Sequence, residues 1–381
     1  MSSPAILPLD VLTALHGNQP LDEAQTQILL TTALDKLINH IDLPFIEMKA
    51  VMLAIMQGQC SDTMMGALLT ALRMKGESID EITAAATVMR SLAVCVDISD
   101  MPYQVDIVGT GGDGANLFNV STAAAMVAAT AGSYVAKHGN RGVSTNSGSS
   151  DLLEQAGISL NLSPEQTTQS IREQGVGFLF APNHHTAMRH AIPVRRALKA
   201  RTIFNILGPL TNPANVPNLV IGVFTPALCE PLAHVMKNLG AKHVMIVGSY
   251  DGLDEISLAT KTQVAELKNG EITVYQLEPE DVGIESQTLK GLTVQSSAQS
   301  LALITAAFTP NIESDSADWQ GKQAISLQKA RDMIALNAGA AIYVSGRADS
   351  LGAGVSMAET VIRNGSALQK MQNLATFSQQ F

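Results

Sequence analysis

The chain has 381 residues, enough for two domains and a large core. Its formal net charge of −10, with only 15 % charged residues, speaks against a non-specific nucleic-acid partner. No window carries the run of large apolar side chains that a membrane span needs, and the opening MSSPAILPLD lacks a cationic leader region, so a cytoplasmic protein with no membrane partner is expected.

Residues 1–26, with Pro4, Pro8 and Pro20, read as a polar-leaning N-terminal extension. Beyond it the apolar periodicity predicts helices at about 27–40, 44–57 and 61–74, and a fourth from Ser78, where Ser-Ile-Asp-Glu forms a capping start. Phe45, Met48, Met52, Ile55 and Met56 recur at spacings of three and four, one buried face. Seven of the sixteen methionines lie between Met48 and Met89, which reads as adaptable packing rather than a ligand set. Cys60, Cys95 and Cys229 are far apart, with no metal-ligand spacing, and read as buried thiols of a reducing compartment.

After Asp97 short β-branched runs alternate with helical stretches. The runs 105–108, 135–137, 178–180, 220–224, 244–247 and 342–344 predict strands of a largely parallel sheet. Helices are expected over 187–199 and 227–239, the second stopped by Gly240, and a hairpin turning at Asn269-Gly270. The expected fold is α/β: a small N-terminal helical domain over 27–95, joined by helices from about 187–200, and a larger α/β domain over 96–381 with a mostly parallel central sheet.

Chemistry gathers at three loops. Gly109-Thr-Gly-Gly-Asp-Gly114 follows the first strand, where α/β sheets bind ligands, and bare glycines present N–H groups to an anion. It is neither a Walker A loop nor a dinucleotide fingerprint, and alone it is compatible with a plain turn. Asn119-Val-Ser-Thr122 then opens an Ala-rich helix, either as a simple N-cap or as an anion-facing terminus. Lys137-His-Gly-Asn-Arg141 and the hydroxyl-rich 143–150 segment lead into another helix. So many donor-rich loops within about 40 residues suit a ligand with two separated phosphate groups. Asp254 and Glu255, after the 244–247 strand, offer oxygen ligands of the kind Mg²⁺ takes beside phosphates; Asp113 could add charge, and Asp251 is a lesser candidate. His184, His185 and His190 lack a usual zinc spacing. Arg195, just after a proline, is a ready fork for a carboxylate.

From about Gln27 to the C-terminus the chain resembles the anthranilate phosphoribosyltransferase family, which shares its fold with pyrimidine nucleoside phosphorylases. The motifs that carry the resemblance are GTGGD, FNVST, VAKHGNR, GSSD, the Pro-Val-Arg run, RTIFNILGPLTNP and the Asp-Glu pair. The resemblance implies transfer of the 5-phosphoribosyl group from 5-phosphoribosyl 1-diphosphate to anthranilate in tryptophan biosynthesis, by a homodimer using two Mg²⁺ ions per subunit. It assigns Gly109, Gly112, Asp113, Asn119, Val120, Ser121, Thr122, Lys137, His138, Gly139, Asn140, Arg141, Ser144, Thr145 and Ser149 to the activated sugar. It assigns Gly109, Asn140 and Arg195 to anthranilate, and Ser121, Asp254 and Glu255 to the metal. Lys137, Arg195, Asp254 and Glu255 would support the transition state, with no protein nucleophile. Leu117 departs from the family's usual Ser or Thr, removing one hydroxyl contact. The alternatives are a nucleoside phosphorylase, whose loop is KHSGG-like, and a non-catalytic nucleic-acid-binding relative, for which a basic surface would be expected.

Overall fold

The computed structural model describes residues 6–112, 114–142, 147–310 and 322–381, with 322–325 by backbone alone. The chain forms two compact units, Met1–Val94 with His184–Thr211, and Cys95–Asn183 with Asn212–Phe381.

The first unit is helical: Leu9–His16, Glu23–Ile38, Phe45–Met56, Asp62–Lys75 and Ile79–Ser91, then Ile192–Leu198 and Phe204–Leu210. Local chemistry starts three of them. Asp22 and Ser78 form capping boxes with Gln25 and Glu81, and the Ser61 hydroxyl accepts from the Met64 N–H. Leu29, Leu30, Leu37, Met48, Met52, Ile55 and Met65 fill the core, whereas Met74 is exposed, so the methionine run is packing at most of its positions but not all. The N-terminal segment contributes too: Val11 and Leu15 are buried, and Gln25 donates to Asp10 at 3.1 Å. The helix expected over 187–199 is divided into a 3₁₀ turn, Thr186–His190, and the helix Ile192–Leu198. Pro193 explains the break, because its ring is accepted in a first helical turn and not farther along.

Glu81 is the polar anchor of this unit. Fully buried, its carboxylate accepts from Leu43 N–H (2.9 Å), Ser78 N–H (2.7 Å) and the Lys75 ammonium (2.9 Å). Glu81→Ala is expected to cost about 2–4 kcal/mol in denaturant unfolding, because it strands the Leu43 and Ser78 amides and leaves Lys75 with Asp42 as its one carboxylate partner among the described residues. A loss below about 1 kcal/mol would show that water replaces the carboxylate.

The second unit is built on a seven-stranded sheet. Its strands are β1 Gln104–Gly109, β2 Tyr134–Gly139, β3 Val176–Phe180, β4 Asn218–Gly222, β5 His243–Ser249, β6 Thr262–Lys268 and β7 Glu271–Leu277. They are ordered β3-β2-β1-β4-β5-β6-β7, parallel from β3 to β5 and antiparallel at β6 and β7. The β6–β7 hairpin turns at Asn269 and Gly270, both at positive φ (54° and 80°), as a tight hairpin turn requires. The strand expected at 342–344 is instead the end of a helix, Lys322–Val344. A short apolar run cannot be told from a buried helix by periodicity, and here Ala335, Ala338, Ala341 and Ile342 are fully or almost fully buried on a helix. One thiol also departs from expectation: Cys60 and Cys229 are buried, but Cys95 is exposed. Among the described residues no helix is long and apolar enough to cross a membrane.

Candidate active site

Three loops leave the carboxyl ends of parallel strands β1, β2 and β5, the side of such a sheet where ligands sit. The first begins at Gly109. Thr110 N–H donates to Gly222 O (2.9 Å), and the backbone then turns through Gly111 and Gly112, at φ 65° and 78°. Side chains resist that left-handed conformation, which is why the turn is built from glycine. The Gly111 N–H donates to Asp254 Oδ2 at 2.6 Å. A methyl group on Gly109 would collide with the Asp254 carboxylate, and one on Gly222 with the Asp254 carbonyl. The acidic turn therefore leans across the ends of β1 and β4.

That turn is braced from below. Ser249 Oγ donates to Leu253 O (2.9 Å), Ser257 Oγ to Asp251 Oδ2 (2.6 Å), and Ile256 N–H to Asn337 Oδ1 (2.9 Å). Asp251, the lesser candidate, thus serves the turn itself, while Asp254 and Glu255 are partly buried at its far side. Among the described residues no cluster of three His, Cys, Asp or Glu groups could cage a metal. A pair of carboxylates beside an anion loop suits Mg²⁺, which keeps waters and shares its shell with phosphates. The residues fit that ion.

Asn119 precedes the helix Val120–Thr130, placing Ser121 and Thr122 in its first turn rather than at its cap. Asn119 does not cap either. Its Oδ1 accepts from Ser147 Oγ and Ser300 Oγ (both 2.7 Å), and its Nδ2 donates to Ser147 O (3.1 Å), so it ties the first loop to the second. No side chain caps this helix among the described residues, and buried Thr122 Oγ1 has no hydrogen-bond partner among them. Uncapped amides at a helix N-terminus favour an anion. Leu117 is bridged to Thr293 and faces the core.

In the second loop, Arg141 pairs bidentately with Glu154 (2.6 and 2.7 Å) and reaches Asp151 at 3.2 Å. Asp151 also accepts from Gly142 and Gly148 N–H, both at 3.0 Å, and Gly148 lies too close to Gly142 for any side chain. Ser149 Oγ donates to Asn140 O (3.1 Å), across the base of the loop from Gly139. These bonds tie Asn140, Arg141 and Gly142 to the helix Ser149–Gln155. Asp113, Ser144 and Thr145 lie outside the described residues.

Lys137 is 3 % exposed and donates to Ile107 O at 2.7 Å. Burial lowers its affinity for the proton, opposed by the charges of Asp106, Glu255 and Asp254. Asp106 is fully buried, and burial pushes its carboxyl up to about 6, against the pull of Lys137 and of hydrogen bonds from Asn212 and His138. His138 is buried at the end of β2. Sequence reading does not single out Asp106 and Asn212; the visible signal is a carboxylate inside an otherwise apolar strand run.

In the helical unit, Arg195 is partly buried, with its guanidinium 5.3 Å from the centroid of the Phe204 ring. Burial lowers its affinity for the proton, and among the described residues no carboxylate pairs with it. A planar cation held on an aromatic face with its fork open is suited to a carboxylate ligand. The neighbouring histidines are absorbed by packing: His184 bonds Val94 O at 2.7 Å, and burial brings His185 down to about 4.

Two family models match the chain: "Glycosyl transferase family, helical bundle domain" over residues 31–93 and "Glycosyl transferase family, a/b domain" over 101–368. The anthranilate phosphoribosyltransferase of Psychrobacter sp. (strain PRwf-1) is 64% identical over 369 residues, covering 97% of this chain and 99% of that one. The crystal structure of anthranilate phosphoribosyltransferase from Thermus thermophilus superposes with a TM-score of 0.82 at 39% identity, covering 91% of this chain and 99% of the other. That of the Saccharomyces cerevisiae enzyme, in complex with PRPP and Mg, gives 0.73 at 26% identity and 98% of each chain.

Proposed function

The chain belongs to the anthranilate phosphoribosyltransferase family, and from that premise we propose the division of labour among its residues. It transfers the 5-phosphoribosyl group of 5-phosphoribosyl 1-diphosphate to the amine of anthranilate, releasing diphosphate, a step of tryptophan biosynthesis.

The observation that carries the assignment is the 2.6 Å contact between Gly111 N–H and Asp254 Oδ2. An anion-seeking loop and a cation-seeking turn meet at one spot, which is what a metal-bound diphosphate needs. The Gly109–Gly112 loop, whose glycines let a ligand approach the backbone, and the first turn at Val120, Ser121 and Thr122 receive the diphosphate end of the sugar. Lys137, His138, Gly139, Asn140 and Ser149 line the phosphoribosyl end. Arg141, already committed to Glu154, shapes that loop first and offers charge second.

Asp254, Glu255 and Ser121 would hold Mg²⁺, two ions per subunit. When bound, the metal supplies charge neutralisation for the departing diphosphate. The anthranilate nitrogen uses its lone pair to attack the anomeric carbon; the bond to diphosphate breaks with its electron pair, and the amine then loses a proton. An aromatic amine is neutral near pH 7, so no strong base is needed beforehand. The protein contributes position and a field for the leaving anion. Arg195 takes the acceptor's carboxylate.

We place the enzyme in the cytoplasm as a homodimer formed through the helical unit, whose Ile28, Ile38, Phe45 and Met74 are exposed apolar side chains. The decisive experiment is loss of anthranilate fluorescence on mixing protein, Mg²⁺ and phosphoribosyl diphosphate. Arg195→Ala is expected to raise the anthranilate KM roughly 10- to 100-fold, leaving the KM for the sugar within about twofold. Equal effects on both substrates would remove Arg195 from the acceptor site.

A further inference from the structure

The backbone ladder between β1 and β2 stops early. These strands are paired at Gln104–Tyr134 and Val105–Val135. By contrast, β1 pairs with β4 from Asp106–Leu219 through Gly109–Gly222, and β2 with β3 from Val135–Val176 through Gly139–Phe180. Beyond Val105, side chains take the groups that would have continued the ladder. Asp106 Oδ1 accepts from His138 N–H (3.2 Å). Asn212 Nδ2 donates to Asp106 Oδ2 (2.7 Å) and to Ala136 O (2.8 Å), and Lys137 Nζ donates to Ile107 O (2.7 Å).

This is a built and satisfied polar wedge. Asp106, Lys137 and Asn212 are 0, 3 and 1 % exposed, and Asn212 is itself fixed by Ala214 N–H on its Oδ1 at 2.8 Å. Burying a carboxylate within a sheet is costly unless it is paired and hydrogen-bonded, and an apolar residue would have continued the ladder at no such cost. Strands in an unbroken ladder stay about 4.8 Å apart, which leaves loops leaving their ends side by side with little room for a ligand between them.

We infer that Asp106 and Asn212 are positioning residues for phosphoribosyl diphosphate, forming a wedge that parts the ends of β1 and β2 and sets the gap between the glycine loop and the Lys137 loop. The inference rests on the reading that both loops hold that substrate. Neither residue touches the reacting atoms. They act through the spacing of the loops and through the seat of the Lys137 ammonium.

Asp106→Asn, Asn212→Ala and the double variant test it in the full-length enzyme, with melting temperature recorded for each. Each single change is expected to raise the KM for phosphoribosyl diphosphate roughly tenfold, the anthranilate KM at saturating sugar staying within about twofold. The double variant should be little worse than the worse single one, because both remove the same wedge. A lower melting temperature with an unmoved sugar KM, equal rises in both KM values, or a double variant whose effects multiply would each overturn the inference. If Asp106→Asn does not fold, Asn212→Ala decides on the same criteria. Absence of turnover in the unaltered enzyme would instead sink the transferase reading on which the proposal rests.

Discussion

Asp254→Asn and Glu255→Gln are each expected to lower kcat by about two to three orders of magnitude, with the anthranilate KM little changed. The shape of both side chains survives the substitution, so the loss isolates charge. Asp254 has a second duty: its Oδ2 accepts the Gly111 N–H at 2.6 Å, and an amide can still place an oxygen there. The glycine loop should therefore stay in place while affinity for the cation falls. Raising Mg²⁺ should recover part of the lost rate in either variant, and chelation should abolish turnover in the unaltered enzyme. Steady-state kinetics across a magnesium titration reads all of this. If either variant loses only acceptor affinity, the metal role belongs elsewhere.

Gly222→Ala is expected to cut kcat/KM at least about 100-fold through a single methyl group placed far along the chain from the glycine loop. The new Cβ would fall on the Asp254 carbonyl, only 3.2 Å from the Asp254 Cα. The strand cannot yield, because Gly222 is paired with Gly109 on one side and Val247 on the other, and its carbonyl receives Thr110 N–H. The acidic turn must move instead, carrying with it the Asp254 and Glu255 carboxylates proposed to hold Mg²⁺. The backbone of Gly222 is not at positive φ, so the effect is steric and local. Gly352→Ala is the control: nothing lies within 4 Å of its added methyl, on the helix Leu351–Arg363, and it should be neutral or stabilising by up to about 1 kcal/mol. A fully active Gly222→Ala enzyme would mean that the turn is not held against β4 as described.

Much of the site's position is legible in the residues themselves. Gly109–Gly112 has to be a tight, donor-rich turn because it follows an apolar strand, and Asn269-Gly270 has to close a hairpin. Ser78 and Glu81 announce a helix start at their own spacing. The reading of Asn119-Val-Ser-Thr as a cap is weaker, since a hydroxyl near a helix start has no way of declaring which residue is the cap. Arg141 likewise reads as a ligand cation until Glu154, thirteen residues on, is seen to hold it. The end of the Lys322–Val344 helix imitates a strand because Ile-Tyr-Val favours both forms when buried.

The sequence by itself determined the periodic helices, the caps and the glycine turns, because each depends on interactions among residues a few positions apart, and it carried the family resemblance in the residue types of its motifs alone. Tertiary structure alone decided that Asp254 lies on Gly109, Gly111 and Gly222, and that Asn212 closes on Asp106. Those pairs are joined by strand order, and strand order emerges from how the whole sheet buries its faces. No local preference encodes which loop will stand beside which.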